Sequence, residues 1–449
     1  MAIRRGRRAP TRRTTARAES SDTAASAAVS SSTEQLLLAA LERGGDTLET
    51  GRFLVTYREG MAEEGAKALR SRAFRMADAR DFADQAVTVE DVGDAEALNF
   101  PEIGVALVSG PALQTRGMSA FQEVAADSPI EVIEPEYFAF AESSDYLRGF
   151  LSAANTIARD LKAVPTLPPA PGQPPEEEVE PEVLGTTWGL VACRVPWSIR
   201  SGVGIKVAVL DTGMDLGHPD YYGRAIFTQT FVGQPVQDLH GHGTHCIGTA
   251  TGPKSPAGST PRYGIAYASQ IFVGKVLTNS GGGTGAGVLA GMNWAIANRC
   301  QVISMSLGSQ SPVQAAYTAA GSAALANGCL IIAAAGNAAS TTGAPANSPT
   351  IMSVASLDPT LSPSSFSNFG KIEIAAPGRD VYSSWPRPIR YRTISGTSMA
   401  TPHVAGCAAL WAQTSGSMRG ATLWRKLQSS ARRLPFPGAR VGAGLVLAP

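Results

Sequence analysis

Three segments of this chain carry an acid, an imidazole and a hydroxyl in the order Asp, His, Ser: Asp211-Thr-Gly, His242-Gly-Thr-His and Gly396-Thr-Ser398-Met-Ala-Thr-Pro-His. A serine hydroxyl attacks a carbonyl only when a histidine takes its proton, and that histidine must be held in one tautomer by a buried carboxylate. Asp211 closes the apolar run Lys206-Val-Ala-Val-Leu210, which reads as a buried central strand. The Thr-Gly after it permits a sharp turn at the strand's C-terminal edge, where parallel sheets carry their sites. His242 and Ser398 each open a run of small residues that reads as a tightly packed helix, so both side chains would project from helix N-termini. At Ser398 the free N–H groups and dipole of that end favour the negative charge that develops in acyl transfer. The chemistry implied is nucleophilic attack by a serine on an acyl carbon.

Residues 185–449 resemble the catalytic domain of the subtilisin-like serine proteases, the subtilases, a family for which the chain order acid, histidine, serine is known. The resemblance implies that Asp211 orients and stabilises the imidazole, that His242 is general base and then acid, and that Ser398 is the nucleophile. Asn337, in Ala333-Ala-Ala-Gly-Asn, matches the family's oxyanion-hole asparagine. Such a donor contributes about 3 kcal/mol to lowering the barrier. An α/β-hydrolase reading fails, because Ser398 lies in Gly-x-Ser-x-Ala and the acid and histidine precede it.

The likeness continues between the motifs. Val302-Ile-Ser-Met-Ser306-Leu307-Gly308 resembles the strand that pairs with an extended substrate, and Gly281-Gly282-Gly283-Thr-Gly the strand that faces it. Together they would hold a peptide by strand addition. The strand Ile271–Leu277, the loop at Gly281, the helical pattern of residues 286–298 and the strand at Val302 read as a βαβ crossover. Ser364-Ser-Phe-Ser-Asn-Phe-Gly, Ile374-Ala-Ala-Pro-Gly and Val441-Gly-Ala-Gly-Leu-Val also stand where a subtilase has similar text. The fold class expected is therefore α/β, a doubly wound, mostly parallel sheet with helices on both faces.

A chain of 449 residues is too long for that domain alone. Residues 51–142 supply a second unit: strands at Arg52–Arg58, Ile103–Val108 and Ile130–Glu136, with helices over residues 61–76 and 117–126. Interleaved in that way they suggest a small α+β ferredoxin-like layer. The segment resembles the subtilase inhibitor-type propeptide, above all in Val132-Ile-Glu-Pro-Glu-Tyr-Phe-Ala-Phe-Ala141, which looks like the tail such domains lay in the cleft. The resemblance implies an intramolecular inhibitor, a zymogen and cleavage near Glu142. A binding or interaction domain is the plainer alternative, since a fold does not set a function.

Residues 143–184 depart from the simple pattern. Tyr146–Leu161 has helical apolar spacing, and a proline-rich stretch with Glu176-Glu-Glu-Val-Glu follows, which reads as a stiff, acidic, exposed linker. Processing within 143–184 is expected, because an acid just before the scissile bond suits an apolar pocket poorly. Residues 1–50 read as a basic, unstructured segment, with seven arginines between positions 4 and 17. Leu36–Leu41 is too short and too distant for a signal-peptide core, and no transmembrane stretch is seen, so a cytoplasmic or non-classically exported protein is expected. A net charge of +1 gives no strong steering, and no nucleic acid is expected as partner.

His218, His245 and His403 are expected to serve packing or hydrogen bonding, while His240, two residues before His242, is left unassigned. Five cysteines without Cys-x-x-Cys spacing read as buried free thiols. Cys246 stands one helical turn after His242, as in the thiol-containing subtilases, which implies sensitivity to mercurials. The loop Ala338–Pro345, with Gly343, would line the pocket for the residue before the cut and carries no charge, so a small or apolar side chain is expected there. No cofactor is required. For a structural calcium the resemblance supplies one ligand, Asp220, and Pro253-Lys-Ser-Pro-Ala-Gly lacks the acceptor loop. The function read from the sequence is a serine endopeptidase made as an autoprocessed zymogen and acting on proteins or peptides. The alternative is a latent or once-cutting protein that serves as a binding module.

Overall fold

The computed structural model describes residues 28–43, 48–118, 127–141 and 185–449. Its first element is a helix, α1 (Thr33–Arg43), within the segment expected to be unstructured. The cause is local. Ser32 and Gln35 cap each other reciprocally, Gln35 N donating to Ser32 Oγ at 3.3 Å and Ser32 N to Gln35 Oε1 at 2.9 Å. Leu36 and Ala39 then fall on one buried face. The basic stretch of residues 1–27 and the linker of 143–184 lie outside the described residues.

After α1 come β1 (Glu49–Tyr57), α2 (Ala62–Ser71), β2 (Met76–Asp78), β3 (Ala97–Phe100), β4 (Val105–Val108), α3 (Gly110–Thr115) and β5 (Ile130–Phe140). The long strands run antiparallel in the order β3-β4-β1-β5, which is the order of a ferredoxin-like layer, and β2 adds a parallel edge. Sequence expectations change here. The helix anticipated over 61–76 ends at Ser71, and β2 begins at Met76. The strand anticipated from Ile103 begins at Val105, because residues 101–104 form a turn. The helix anticipated over 117–126 is preceded by α3, which starts earlier because Ser109 Oγ caps Ala112 N at 3.2 Å and Pro111 suits a first turn. Residues 119–126 lie outside the described set.

The C-terminal unit carries β6 (Lys206–Asp211), β7 (Ile226–Thr230), α4 (His242–Thr251), β8 (Gln270–Lys275), β9 (Gly282–Thr284) and α5 (Gly285–Ala297). There follow β10 (Val302–Met305), α6 (Ala315–Ala326), β11 (Leu330–Ala334), β12 (Met352–Leu357), β13 (Ile374–Pro377), the hairpin β14 (Val381–Ser384) and β15 (Tyr391–Ile394), and α7 (Thr397–Ala412). Seven strands form a parallel sheet in the order β13-β12-β11-β10-β6-β8-β7. Their unbroken apolar runs, such as Leu330-Ile-Ile-Ala-Ala334, are buried throughout, as strands covered on both faces must be. α4 and α7 share a core with one face, and α5 and α6 with the other. The sheet order reverses around β6, so Asp211 stands at the C-terminal edge beside a topological switch point.

The two units meet on the α5/α6 face, where Leu54, Leu98 and Leu107 join Val288, Leu289 and Tyr317 in one core. Two carboxylates of β5 reach the facing helix starts. Glu136 Oε1 accepts from Ala286 N at 2.7 Å, and Glu134 accepts from Ala316 N at 2.9 Å and Ala315 N at 3.1 Å. Anions are favoured there because first-turn N–H groups have no partner within their own helix. Fully buried Arg52 holds Glu136 by two bonds, Nε to Oε2 at 2.7 Å and Nη2 to Oε1 at 2.9 Å.

Candidate active site

The turn after β6 is tight because its residues allow it. Gly213 has φ +104° and comes so close to Val236 O that a Cβ would lie 2.1 Å away. Asp211, 1% exposed, accepts Thr212 N at 2.7 Å and His242 Nδ1 at 2.8 Å on the same oxygen, Oδ1. That bond makes Nδ1 the donor and leaves Nε2 as the basic nitrogen; it has no hydrogen-bond partner among the described residues. Burial opposes a charge on His242, but the Asp211 carboxylate outweighs it, with help from Cys246, and holds the imidazole well above its ordinary value.

The helix α4 that presents His242 begins at Gly241, which has no side chain to cap it. Asp238, fully buried, takes over that role. Its Oδ1 accepts from Gly241 N at 2.8 Å, His240 N at 3.0 Å and Thr212 Oγ1 at 3.0 Å. Its Oδ2 accepts from Thr244 N at 2.9 Å and Thr244 Oγ1 at 2.7 Å. Thr212 Oγ1 in turn accepts Gly243 N at 2.9 Å, so one carboxylate ties the turn after Asp211 to both flanks of His242. Beneath it, buried Lys275 donates to Thr212 O and to Asn279 Oδ1, and burial lowers its pKa to about 8. Sequence reasoning missed Asp238 and Lys275. The signal for Asp238 was an acid four residues before a helix whose start lacks a capping side chain.

Ser398 is the second residue of α7, beyond Gly396. Four residues on, Pro402 lacks the N–H that would bond the Ser398 carbonyl within the helix. The freed carbonyl accepts instead from Ser306 Oγ at 2.7 Å and Cys246 Sγ at 3.5 Å, which fixes the start of α7 against β10's exit and α4. Ser398 Oγ lies 3.3 Å from two acceptors, Ser306 O and Ala141 O, and makes no bond to His242 Nε2. Cys246 Sγ is 3.9 Å from His242 Nδ1, and burial raises its pKa.

Asn337 accepts with Oδ1 from Thr397 N and Thr397 Oγ1, both at 2.8 Å, so its Nδ2 is the end left to donate beside Ser398. The loop behind it hangs on Asn368, which binds Ala338 N at 2.9 Å and Ser340 N at 3.0 Å and donates to Ala335 O and Thr341 O, each at 3.0 Å. Asn368 was quoted within a motif but not recognised as this hub. Leu307, Gly308, Ala334, Asn337, Ala338 and Gly343 line the cavity beside Ser398, together with Phe140 and Ala141 from the N-terminal unit. Among the described residues, none that lines this cavity is charged.

The glycines anticipated as substrate strands are paired with the protein's own chain. β5 runs antiparallel to β9, with Phe140 opposite Gly282, Ala139 opposite Gly283 and Phe138 opposite Thr284. Gly281 stands just outside β9, and its carbonyl accepts Ala141 N at 2.9 Å. On the other side Gly308 exchanges both backbone bonds with Phe140 at 3.0 Å. Gly281 has φ +83° and His240 Nε2 would lie 2.9 Å from a Cβ there, so His240 packs against this edge, its ring 6.2 Å from that of His242.

The remaining histidines bond backbone carbonyls: His218 that of Arg390, His245 those of Val381 and Arg392, and His403 that of Met399. Burial lowers His245 to about 3 and His403 to about 4, so both are neutral donors. Three donors meet the Asp220 carboxylate: Tyr263 Oη at 2.5 Å, Tyr391 Oη at 3.0 Å and Ala257 N at 3.2 Å.

Residues 202–444 match the Subtilase family. The chain belongs to the subtilases. Thermitase of Thermoactinomyces vulgaris is 41% identical over 223 residues, which are 48% of this chain and 77% of thermitase. Subtilisin Savinase of Lederbergia lenta is 38% identical over 267 residues, 58% of this chain and 96% of Savinase. A cuticle-degrading protease of Metarhizium anisopliae is 38% identical over 285 residues, 58% of this chain and 69% of that protein. A solved structure, of a cold adapted subtilisin-like serine proteinase, overlays with a TM-score of 0.51 at 34% identity, over 59% of this chain and 98% of its own. This subtilase is a serine endopeptidase that acts on protein or peptide substrates. Among the described residues no helix is long and apolar enough to cross a membrane.

Proposed function

We propose that this subtilase cuts peptide bonds with Asp211, His242 and Ser398 as a triad, and that residues 51–142 are an inhibitory propeptide that makes the full chain a zymogen. The observation that carries the reading is the Phe138–Ala141 segment. It is bonded between β9 and Gly308 as a substrate backbone would be, and its last described carbonyl lies 3.3 Å from Ser398 Oγ. In the reaction His242 Nε2 takes the Ser398 proton as Oγ adds to the scissile carbonyl. The imidazolium so formed is stabilised by Asp211 and then protonates the leaving amine. Asn337 Nδ2 and the Ser398 N–H, an unsatisfied first-turn donor, would hold the oxyanion. Water attacks the acyl-enzyme by the same route in reverse. Ser398 Oγ must swing from Ala141 O and Ser306 O toward Nε2, a readjustment expected once an acyl carbon is in register.

The uncharged cavity supports a preference for small or apolar residues before the cut, and it makes a site within 143–184 better suited to final processing than one after an acidic residue at 142. No cofactor enters this chemistry. Mass analysis and a peptide-substrate assay of wild type beside Ser398→Ala test the reading. Wild type should be clipped between 140 and 185 and turn over peptide, while the variant stays whole and inert. Two intact, inactive proteins would favour the latent binding module, for which the buried Arg52–Glu136 pair and the helix-capping carboxylates also speak.

A further inference from the structure

The inhibitory segment has a covering that the paired strands do not explain. A strand laid in an open cleft exposes alternate side chains, yet Phe138 is 2% and Phe140 8% exposed. Both pack with fully buried Leu36 of α1, and Leu37, Ala40 and Leu48 close the cluster. The residues before α1 are wired to the docking pair, since Arg52, which holds Glu136, gives its Nη1 to Val29 O at 2.8 Å. At its near end α1 also touches the catalytic unit, where Gln234 Nε2 donates to Glu34 Oε1 at 3.2 Å. Its outer face, with Glu34, Gln35 and Leu38, is open to solvent.

We propose that residues 28–43 form a strap that locks Phe138–Ala141 into the cleft and sets how slowly the cleaved N-terminal unit leaves. This rests on the zymogen reading and adds a step to it: the strap must lift before the segment can peel from β9. The layer's own core, built on Val55, Leu69, Val108 and Ile133, contains no strap residue, and Leu36 lies outside the core that Val29 joins with Leu54 and Leu107, so a change at Leu36 leaves the layer able to fold. Strap and strand meet through the side chains of Leu36 and its neighbours against Phe138 and Phe140, which makes that position the lever. Replacing Leu36 by aspartate puts a charge among two phenyl rings without touching any group that acts in the cut.

The test is the lag between self-cleavage, followed by mass, and the rise of peptide hydrolysis, in full-length wild type, Leu36→Asp and Leu36→Met. Leu36→Asp should shorten the lag at least about tenfold, as expected when one buried leucine anchor is lost. Leu36→Met should keep the wild-type lag, and all three should reach one final rate per titrated active site. A cleaved Leu36→Asp chain with the wild-type lag overturns the strap while leaving the zymogen reading intact. A wild type that neither clips nor hydrolyses overturns the zymogen reading, and the strap with it. Should Leu36→Asp not fold, Leu36→Ala in the Ser398→Ala chain serves instead: the Phe138 and Phe140 amides should exchange with solvent about tenfold faster than in Ser398→Ala alone, and equal rates overturn the proposal.

Discussion

The helices on the two faces of the parallel sheet begin differently. α4 starts at Gly241 and α6 after Gln314, and neither residue caps its own helix with a side chain. The His242 helix is capped by Asp238 and Thr212, from the same unit and within 31 residues. The starts of α5 and α6 receive carboxylates from β5, 150 and 182 residues away in the chain. One face is therefore capped from within its own unit, and it is the face that presents His242 and Ser398 of the proposed triad. The other has a surface of helix starts that the N-terminal unit satisfies. If the zymogen reading holds, the contrast separates what turnover needs from what latency needs.

Asp238→Asn should strike the self-sufficient face hardest. The amide cannot accept Thr244 N and Oγ1 on its nitrogen side, His242 loses its anchor, and a misplacement of this kind costs about a hundredfold in kcat with little change in KM. Steady-state kinetics of the processed enzyme measure it, and a parallel rise in KM would point to the substrate edge instead. Glu136→Gln should act on the other face alone. Breaking a buried pair leaves Arg52 uncompensated at a cost of about 3 kcal/mol, so latency should weaken about a hundredfold while the final rate per active site is unchanged. Glu134→Gln removes a charged cap without orphaning a cation, and about 1 kcal/mol, or a few-fold shorter lag, is expected in the same assay.

The gentlest effect concerns Lys275 below the turn that follows Asp211. Its folded pKa, about 8, is below the ordinary lysine value of about 10.4, so between those limits the unfolded chain binds more protons than the folded one. Stability from this residue thus rises as pH climbs through that window. In the inert Ser398→Ala background, melting temperatures at pH 8 and pH 10 should rise more with Lys275 than with Lys275→Met. Equal pH dependence would mean that the ammonium is not held as described.

What was legible in the sequence was the placing of residues tied to local punctuation. Asp211, His242, Ser398 and Asn337 each sit where a strand or helix meets glycine or other small residues, so type and place could be read together. The ferredoxin-like layer was suggested by helices interleaved with strands, while the strand order is seen only in the structure. Glu134 and Glu136 were read only as part of a motif, because what they do depends on helices met far along the chain. α1 was missed for another reason. Its Ser32-x-x-Gln35 capping box is plain, but the arginine-rich stretch before it set the expectation for the whole of residues 1–50. Composition averaged over a window hid one amphipathic turn pattern.

The pairing of β5 with β9 makes a single six-stranded sheet that runs from the edge strand β2 to β9. Departure of the N-terminal unit would therefore leave a bare row of N–H and C=O groups on β9, the kind of edge on which other chains aggregate. The sequence answers that hazard by brevity. β9 is three residues long and two are glycine, so it offers a guest in extended form enough bonds for a moment's alignment and too few to template a stack. On the proposed function, the same economy would make the strand a good host for a passing peptide and a poor one for a second unmasked enzyme.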